Sequence, residues 1–455
     1  MRSCSITRHR TCPNTLSRSR LSMHRAATAL TSNAFARLCR DACTSWSRCV
    51  TASSIYRAGC TIPCGWKTPT STLTIISAAC ASHRPGGSRK LDTVVGEVAN
   101  GLLDRSRPLW EFYFVEGMVD NRFAIIGKIH HSLADGVASA NLMARALDVS
   151  GPALCEEDSY QPDPTPSTSQ LVRAAMRDHA VMLRQLPRLV RDTVTGVGRL
   201  RRKRPPAPGL ARSFHPPATF LNHVVAPRRT FASATMGLGE VKRTSKRLGV
   251  TINDVVLAIV TGALRNLLLK YDGLADQALL AGVPMSIDTS SQRVSGNALG
   301  SLVVSLPVHT ADPLEWVRLA HVGARAAKES SQLLGPDLMS RWMNYAPPGL
   351  TEWMFRRIAT SDSPNKLVNV PISNVQGPRH YGRIAGAKLE RFYSVGPLTF
   401  GVGVNITVWS YVDQLNIAVL ADDITFKDTH EVTDAMIESF TLIQRAAGVP
   451  TAIGP

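Results

Sequence analysis

The stretch 254–269 is the longest apolar-rich run in the chain and the strongest constraint on its fold. Thr261 and Arg265 interrupt it, and it falls short of the roughly 18 apolar residues that cross a bilayer. It is expected to form a core helix, and a helix apolar on all sides needs neighbours on all sides. The flanking sequence supplies them. Strands are expected at 230–236, 278–285, 302–307, 389–395, 402–410 and 414–421, and helices at 238–248, 252–270, 313–329 and 430–446. Strands alternating with helices in this way define an α/β or α+β domain. Any membrane contact is then expected to be peripheral.

Upstream, 91–103 has helical spacing. The run 110–116 alternates as a strand, with Trp110, Phe112 and Phe114 on one face. Asp120-Asn121 marks a turn, and the apolar strand 123–129 follows, so a hairpin is expected. A helix is expected at 138–149. Residues 151–169, rich in Pro, Ser, Asp and Thr, read as a linker. The segment 171–200 is amphipathic, with Val172, Met176, Leu183, Leu186, Val190, Val194 and Val197 at helical spacing, interrupted by Pro187. Arg173, Arg177, Arg184, Arg188 and Arg191 lie beside them. Packing of this apolar side on the domains is the preferred expectation; contact with anionic lipid is the alternative.

The formal net charge of +18 invites an anionic partner. No zinc-finger spacing, RNA-recognition signature or heptad-linked basic region is present, so nucleic acid is not expected. Membrane phosphates and a phosphate-bearing cosubstrate both suit the charge. Much of it sits in residues 1–83, which hold eleven Lys and Arg against one acid, Asp41, and eight of the nine cysteines. Three accounts compete for this segment. A transit peptide would be Arg- and Ser-rich but shorter. Cys39-x3-Cys43 and Cys60-x3-Cys64 lack the paired spacing with histidines of a zinc module. The preferred account is translation in a shifted frame. Codons chosen for 61–71, read from two bases further on, encode His-Pro-Val-Trp-Val-Glu-Asp-Pro-Asp-Phe, and 40–48 treated alike gives ordinary acid-containing sequence.

The sharpest chemical signal is His130-His131-Ser132-Leu133-Ala134-Asp135-Gly136, placed where a strand ends and a helix begins. Adjacent histidines on an extended backbone point to opposite sides, so one can face a cavity while the other packs inward. Asp135 can fold back to fix the turn, and Gly136 permits a close approach that a side chain would forbid. A histidine pair alone is more often structural; the full string is much more specific. Asn253-Asp254 opens the core helix, and Thr251-x-x-Asp254 also fits a capping box with Asp in place of Glu.

These residues resemble the motif of the coenzyme A-dependent acyltransferase superfamily, shared by chloramphenicol acetyltransferases and peptide-synthetase condensation domains. Further strings narrow the resemblance to the bacterial wax ester synthase/diacylglycerol acyltransferase family: Pro108-Leu109-Trp110, Asn253-Asp254, Gly296-Asn297 before Leu306-Pro307, Ser373-Asn374-Val375-Gln376-Gly377-Pro378, and Gly403 to Tyr411. The likeness runs from about 85 to about 446. It implies two chloramphenicol-acetyltransferase-like α/β lobes joined by a helical linker, with a tunnel between them. The expected divisions are 1–83 abnormal, 84–150 the rest of the first lobe, 151–218 the linker and 219–455 the second lobe. It further implies that His131 is the general base, that His130, Asp135 and Gly136 support the motif, and that Asn253 is an oxyanion donor. Asp254, Ser373 and Asn374 are candidates for substrate contact, and Gly377-Pro378 reads as a turn.

The implied reaction moves a long-chain acyl group from acyl-CoA, as co-substrate, to diacylglycerol, with long-chain alcohols as further acceptors. No bound cofactor and no metal are expected. A cytoplasmic protein visiting membrane or lipid-droplet surfaces is the expected setting. Two alternatives stand beside this: a condensation-type acyltransferase with a carrier-bound donor, and a degenerate lipid-binding or pseudogene product. The frame account makes its own prediction. The nucleotide sequence over codons 40–72 should encode a His-Pro-Val-Trp-like segment in another frame, and the frame-restored chain should be soluble and active where the chain as written is insoluble or inactive. Losing even one buried strand can exceed the roughly 5–15 kcal/mol that a domain possesses. A gene without such a segment would refute it.

Overall fold

The computed structural model describes residues 73–77, 87–105, 109–147, 166–202, 208–211, 215–360, 367–384 and 386–450. The cysteine spacings and most of the linker expected at 151–169 lie outside these residues. In chain order the elements are β1 (Leu73–Ser77), α1 (Ser88–Asn100), β2 (Trp110–Glu116), β3 (Ala124–Ile129), α2 (Gly136–Ala146) and α3 (Thr168–Arg201). Then follow β4 (Arg229–Gly237), α4 (Leu238–Leu248), α5 (Ile252–Tyr271), β5 (Leu279–Ser286), β6 (Leu299–Leu306) and α6 (Pro313–Leu334). The chain closes with α7 (Leu338–Met343), α8 (Pro348–Ala359), β7 (Val370–Gln376), the short β8 (Arg383–Ile384) and β9 (Ala387–Lys388), β10 (Val404–Tyr411), β11 (Gln414–Asp422) and α9 (His430–Ala446).

The class is mixed α/β, as the alternation of elements implies. A six-stranded sheet in the order β4-β11-β10-β7-β5-β6 carries the second lobe, and a three-stranded sheet in the order β1-β2-β3 carries the described part of the first. The expected hairpin is present, with Trp110 opposite Ile129. β1 lies inside the segment expected to be abnormal, and it pairs in parallel with β2. Its sequence, LTIIS, is rich in β-branched residues and suits a strand whatever precedes it.

α5 is the anticipated core helix. It runs 20 residues and is apolar enough, by length and composition alone, to cross a bilayer, yet 72% of its most apolar window is buried inside the protein. It lies between the six-stranded sheet and α6 and α9. Gly262 makes that crossing possible, because a Cβ there would sit 2.5 Å from Trp316 and 2.7 Å from the Ser439 hydroxyl. The sheet sorts its side chains by the period of two. Val370 and Ile372, Val404 and Ile406, and Ala281 and Val283 face the helices, while Pro371, Ser373, Asn405, Thr407 and Gly282 face a cavity on the other side.

One expected strand is absent and one observed strand is unexpected, each for an identifiable reason. No strand forms at 389–395, because its carbonyls accept from side chains instead of a ladder: Leu389 from Tyr411 Oη, Phe392 from Asn416 Nδ2. The central strand β7 escapes a pattern search because it begins with Val370-Pro371 and carries Ser373-Asn374 in its middle. Proline cannot donate to a ladder and argues against a central strand, but Pro371 falls at the end of the short parallel pairing with β5. α3 continues through Pro187 as one helix of 34 residues.

α1 docks the first lobe on the edge of the large sheet. Asp92, buried, accepts from the Ser233 backbone N–H at 3.0 Å and its hydroxyl at 2.7 Å, with His430 Nε2 at 3.0 Å. Gly262→Ala should cost about 1–3 kcal/mol by overpacking, read as a lowered midpoint in chemical denaturation. Gly198→Ala, at a helical position with nothing within 4 Å of a new Cβ, should leave the midpoint unchanged or raised. Equal effects at the two sites would contradict the packing account.

Candidate active site

The loop between β3 and α2 carries the histidines, and four bonds to one carboxylate hold it. Asp135 has its side chain fully buried and caps α2 by accepting from the Ala138 N–H at 3.0 Å. Its two oxygens also receive both Arg293 terminal nitrogens, at 2.8 and 2.9 Å, and the Ala298 N–H at 2.9 Å. Burial would raise this carboxyl, but the Arg293 and backbone donors outweigh it and hold the group below the usual carboxylate range. The backbone adds a bridge, with the Gly296 N–H donating to the Leu133 carbonyl at 2.7 Å. Gly296 adopts a left-handed φ of 79°, open to glycine at little cost.

His130 is half-buried. The Ser132 N–H donates to its Nδ1 at 3.2 Å, and the Ser132 hydroxyl lies 2.7 Å from the same nitrogen. An Nδ1 that accepts leaves the proton on Nε2. Burial, with Arg105 and His131 nearby, lowers its basicity below that of an ordinary imidazole. His131 is exposed, and its carbonyl is held by Asn297 Nδ2 at 2.9 Å. Gly136 lets α2 approach β7, because a Cβ would lie 2.9 Å from Val375 Cγ2.

Both histidines, Asp135 and Gly136 border a cavity of about 2970 Å³. Ser373 and Asn374 line the same cavity, as does Trp110, otherwise buried at 5% exposure. Asn253 and Asp254 are not among the lining residues. Asn253 Oδ1 accepts from Asn374 Nδ2 at 3.3 Å, so it reaches the cavity through that neighbour. Asp254 does not line the cavity; it completes the capping box with Thr251 and lies 2.8 Å from His321 Nδ1. The helix-start alternative is therefore the one realised. Gly377 is a structural turn, since a Cβ there would strike Trp409 and the Ser410 carbonyl.

Sequence reading missed Arg293 and the function of Asn297. Gly296-Asn297 was visible only as a family-like string; its position beside Asp135 depends on a contact across 158 residues. Arg293 stands in a polar loop with no local pattern to mark it.

Comparisons with known proteins bear on this site. Residues 79–256 match the profile of the wax ester synthase/diacylglycerol acyltransferase catalytic domain, and residues 295–444 match that family's C-terminal domain. A Mycobacterium tuberculosis protein named as a diacylglycerol O-acyltransferase is 54% identical over 367 residues, covering 80% of this chain and 77% of that one. An O-acyltransferase of Acinetobacter baylyi is 31% identical over 354 residues, 75% of this chain and 74% of its own. The wax ester synthase/diacylglycerol acyltransferase structure from Marinobacter aquaeolei superposes with a TM-score of 0.58 at 25% identity, over 83% of this chain and 80% of that one. A condensation domain of the calcium-dependent antibiotic synthetase, at a TM-score of 0.53 and 16% identity over 93% and 89%, shares the fold.

Removing one member of a buried pair strands the other, so Arg293→Met should cost about 3–5 kcal/mol. Asp135 is depressed, so its contribution is present above the unfolded carboxylate value of about 3.9 and is lost as pH falls through the lower folded value. The stability gap between wild type and Asp135→Asn should therefore hold at neutral pH and shrink below about pH 3.9. A gap that stays constant to pH 2 would overturn the assignment.

Proposed function

Because the chain belongs to the wax ester synthase/diacylglycerol acyltransferase family, we propose that it transfers a long-chain acyl group from acyl-CoA to diacylglycerol, forming triacylglycerol. Long-chain alcohols are a second acceptor class, yielding wax esters. The observation that carries this reading is one accessible histidine, His131, on a pinned loop at the wall of a cavity large enough for two acyl-bearing substrates. The setting is the cytoplasmic face of a membrane or a lipid-droplet surface. No bound cofactor enters the scheme.

A hydroxyl is a poor nucleophile near neutral pH, whereas a thioester is already activated. His131 takes the alcohol proton as the oxygen attacks the thioester carbonyl. The oxyanion is met by the Asn253–Asn374 pair, of which Asn374 lines the cavity. Collapse expels the coenzyme A thiolate, which recovers the proton from His131. A positioned general base contributes about 10²–10⁴-fold. His130, bonded through Nδ1 and lowered in basicity, suits an orienting part better than that of base.

His131→Ala should lower turnover by about 10²–10⁴-fold with little change in melting temperature. His130→Ala should act mainly through stability. The assay follows thiol release and triacylglycerol from palmitoyl-CoA and diacylglycerol, in the full chain and in its frame-restored counterpart. Near-normal turnover by His131→Ala would rule out the mechanism.

A further inference from the structure

α3 has three longitudinal sectors, and only one of them packs. With about 100° between successive residues, Leu171, Leu189 and Gly196 share one sector, and all three are buried. Val172, Met176, Leu183, Val190 and Val194 fall within about 40° of one another, roughly 100° round from the packed sector. All five are exposed, Met176 at 68%, Leu183 at 63% and Val194 at 67%. Arg173, Arg177, Arg184, Arg188 and Arg191 occupy the next sector, beyond the apolar stripe. The helix has two acids, Asp178 and Asp192, both toward the packed side. Asp192 is taken by Arg341 of α7 at 3.2 Å. Arg177 and Arg191 reach those acids only at 4.0 and 3.9 Å.

α7 is bonded to α3. Trp342 of α7 donates its indole N–H to Thr193 at 2.9 Å, and the Tyr345 hydroxyl donates to the Met182 carbonyl. The chain then enters α8, which exposes Leu350 at 55% and Trp353 at 59% beside Arg357, while Arg356 is paired with Glu352 at 2.7 Å. Ile358, Leu367 and Phe400 are exposed as well, and these three also line the cavity. Phe400 stacks on Phe355 at 5.2 Å, joining the collar to α8.

We propose that the α3–α7–α8 layer is the face by which the protein seats on an anionic lipid surface, with the α8 collar opening the cavity toward that surface. On α3, an exposed apolar stripe beside arginines, with both acids of that helix turned to the packed side, fits the boundary between acyl chains and anionic headgroups. A protein partner would have to supply acids matching five arginines along the helix; a phospholipid surface supplies them everywhere. Tryptophan at the edge of such a face suits the same boundary. The inference rests on the lipid-acyltransferase reading for the nature of the acceptor, but docking can be measured without turnover.

The test is sedimentation of the full chain, with its frame-restored counterpart alongside, on phosphatidylcholine vesicles and on vesicles about one third phosphatidylglycerol. Wild type should bind the anionic vesicles and release as salt rises. Met176→Glu/Leu183→Glu should weaken binding about tenfold or more while keeping turnover of palmitoyl-CoA with a short, soluble alcohol. Arg173→Gln/Arg184→Gln/Arg188→Gln, which leaves the apolar stripe intact, should remove the preference for anionic lipid. Trp353→Phe should reduce the quenching of tryptophan emission by brominated lipid. Equal binding to both vesicles at high salt, or unchanged binding by the Glu variant, would overturn the proposal. So would a Glu variant that instead lowers the mass in solution, which would mark a second copy as the occupant. Vesicle binding without any turnover would uphold docking and refute the acyltransferase reading; turnover without vesicle binding would do the reverse.

Discussion

The Asp135–Arg293 pair joins two segments 158 residues apart, and the placement of the histidine loop depends on it. Burying two charges is costly, and their attraction offsets this only when geometry is good and the remaining lone pairs are used. Here the geometry is good and the carboxylate is fully used, while the Arg293 Nε–H alone lacks a hydrogen bond, with Asp288 Oδ2 at 3.6 Å. The carboxylate takes two guanidinium and two backbone donors, and Arg293 also donates to the Gly296 and Asp288 carbonyls at 3.0 Å. The pair therefore acts as a fixed point. Asn297, four residues from Arg293, holds the backbone of His131, so the proposed base is referenced to the second lobe although it belongs to the first. Asp135 thus holds the histidine loop through its bonds to Arg293, Ala138 and Ala298.

The large sheet does two jobs with one pleat. Its apolar face meets α5, α6 and α9 and contributes most of the core. Its other face, carrying Pro371, Ser373, Asn405 and Thr407, leaves room for the cavity. Small and polar residues on a buried strand would weaken an ordinary sandwich; here they keep one wall open and wettable. Leaving so much space unfilled forgoes packing that would otherwise stabilise the lobe interface. α1, anchored through Asp92 and seated by Gly96 against the β4 backbone, restores part of it at the sheet edge.

α3 shows where pattern and context separate. Its apolar periodicity was legible, and a helix does form. The expectation that this apolar side packs on the domains is reversed, because the packed sector is carried by Leu171, Leu189 and Gly196. Gly196 sits where a Cβ would lie 3.0 Å from the Leu334 carbonyl, so close contact with α6, not apolar content, selects that side. A periodicity reports that a helix has an apolar stripe; it does not report which neighbour arrives.

The linear sequence by itself determined the α/β class, the core helix α5, the hairpin before the histidines, and the residue string around His131. All are local consequences of apolar period, turn chemistry and propensity, which act within a few residues. It also offered the capping box at Asp254, since that motif is complete within four residues, although it left the substrate-contact reading beside it. Only the tertiary structure decided that Asp135 meets Arg293, that Asn297 holds His131, that Asn253 stands behind Asn374, and that Ser373 lies in a central strand. Each of these depends on where remote segments meet: the three side-chain contacts span 158, 166 and 121 residues, Ser373 pairs with Thr407 of β10, and no local pattern encodes which partner will arrive.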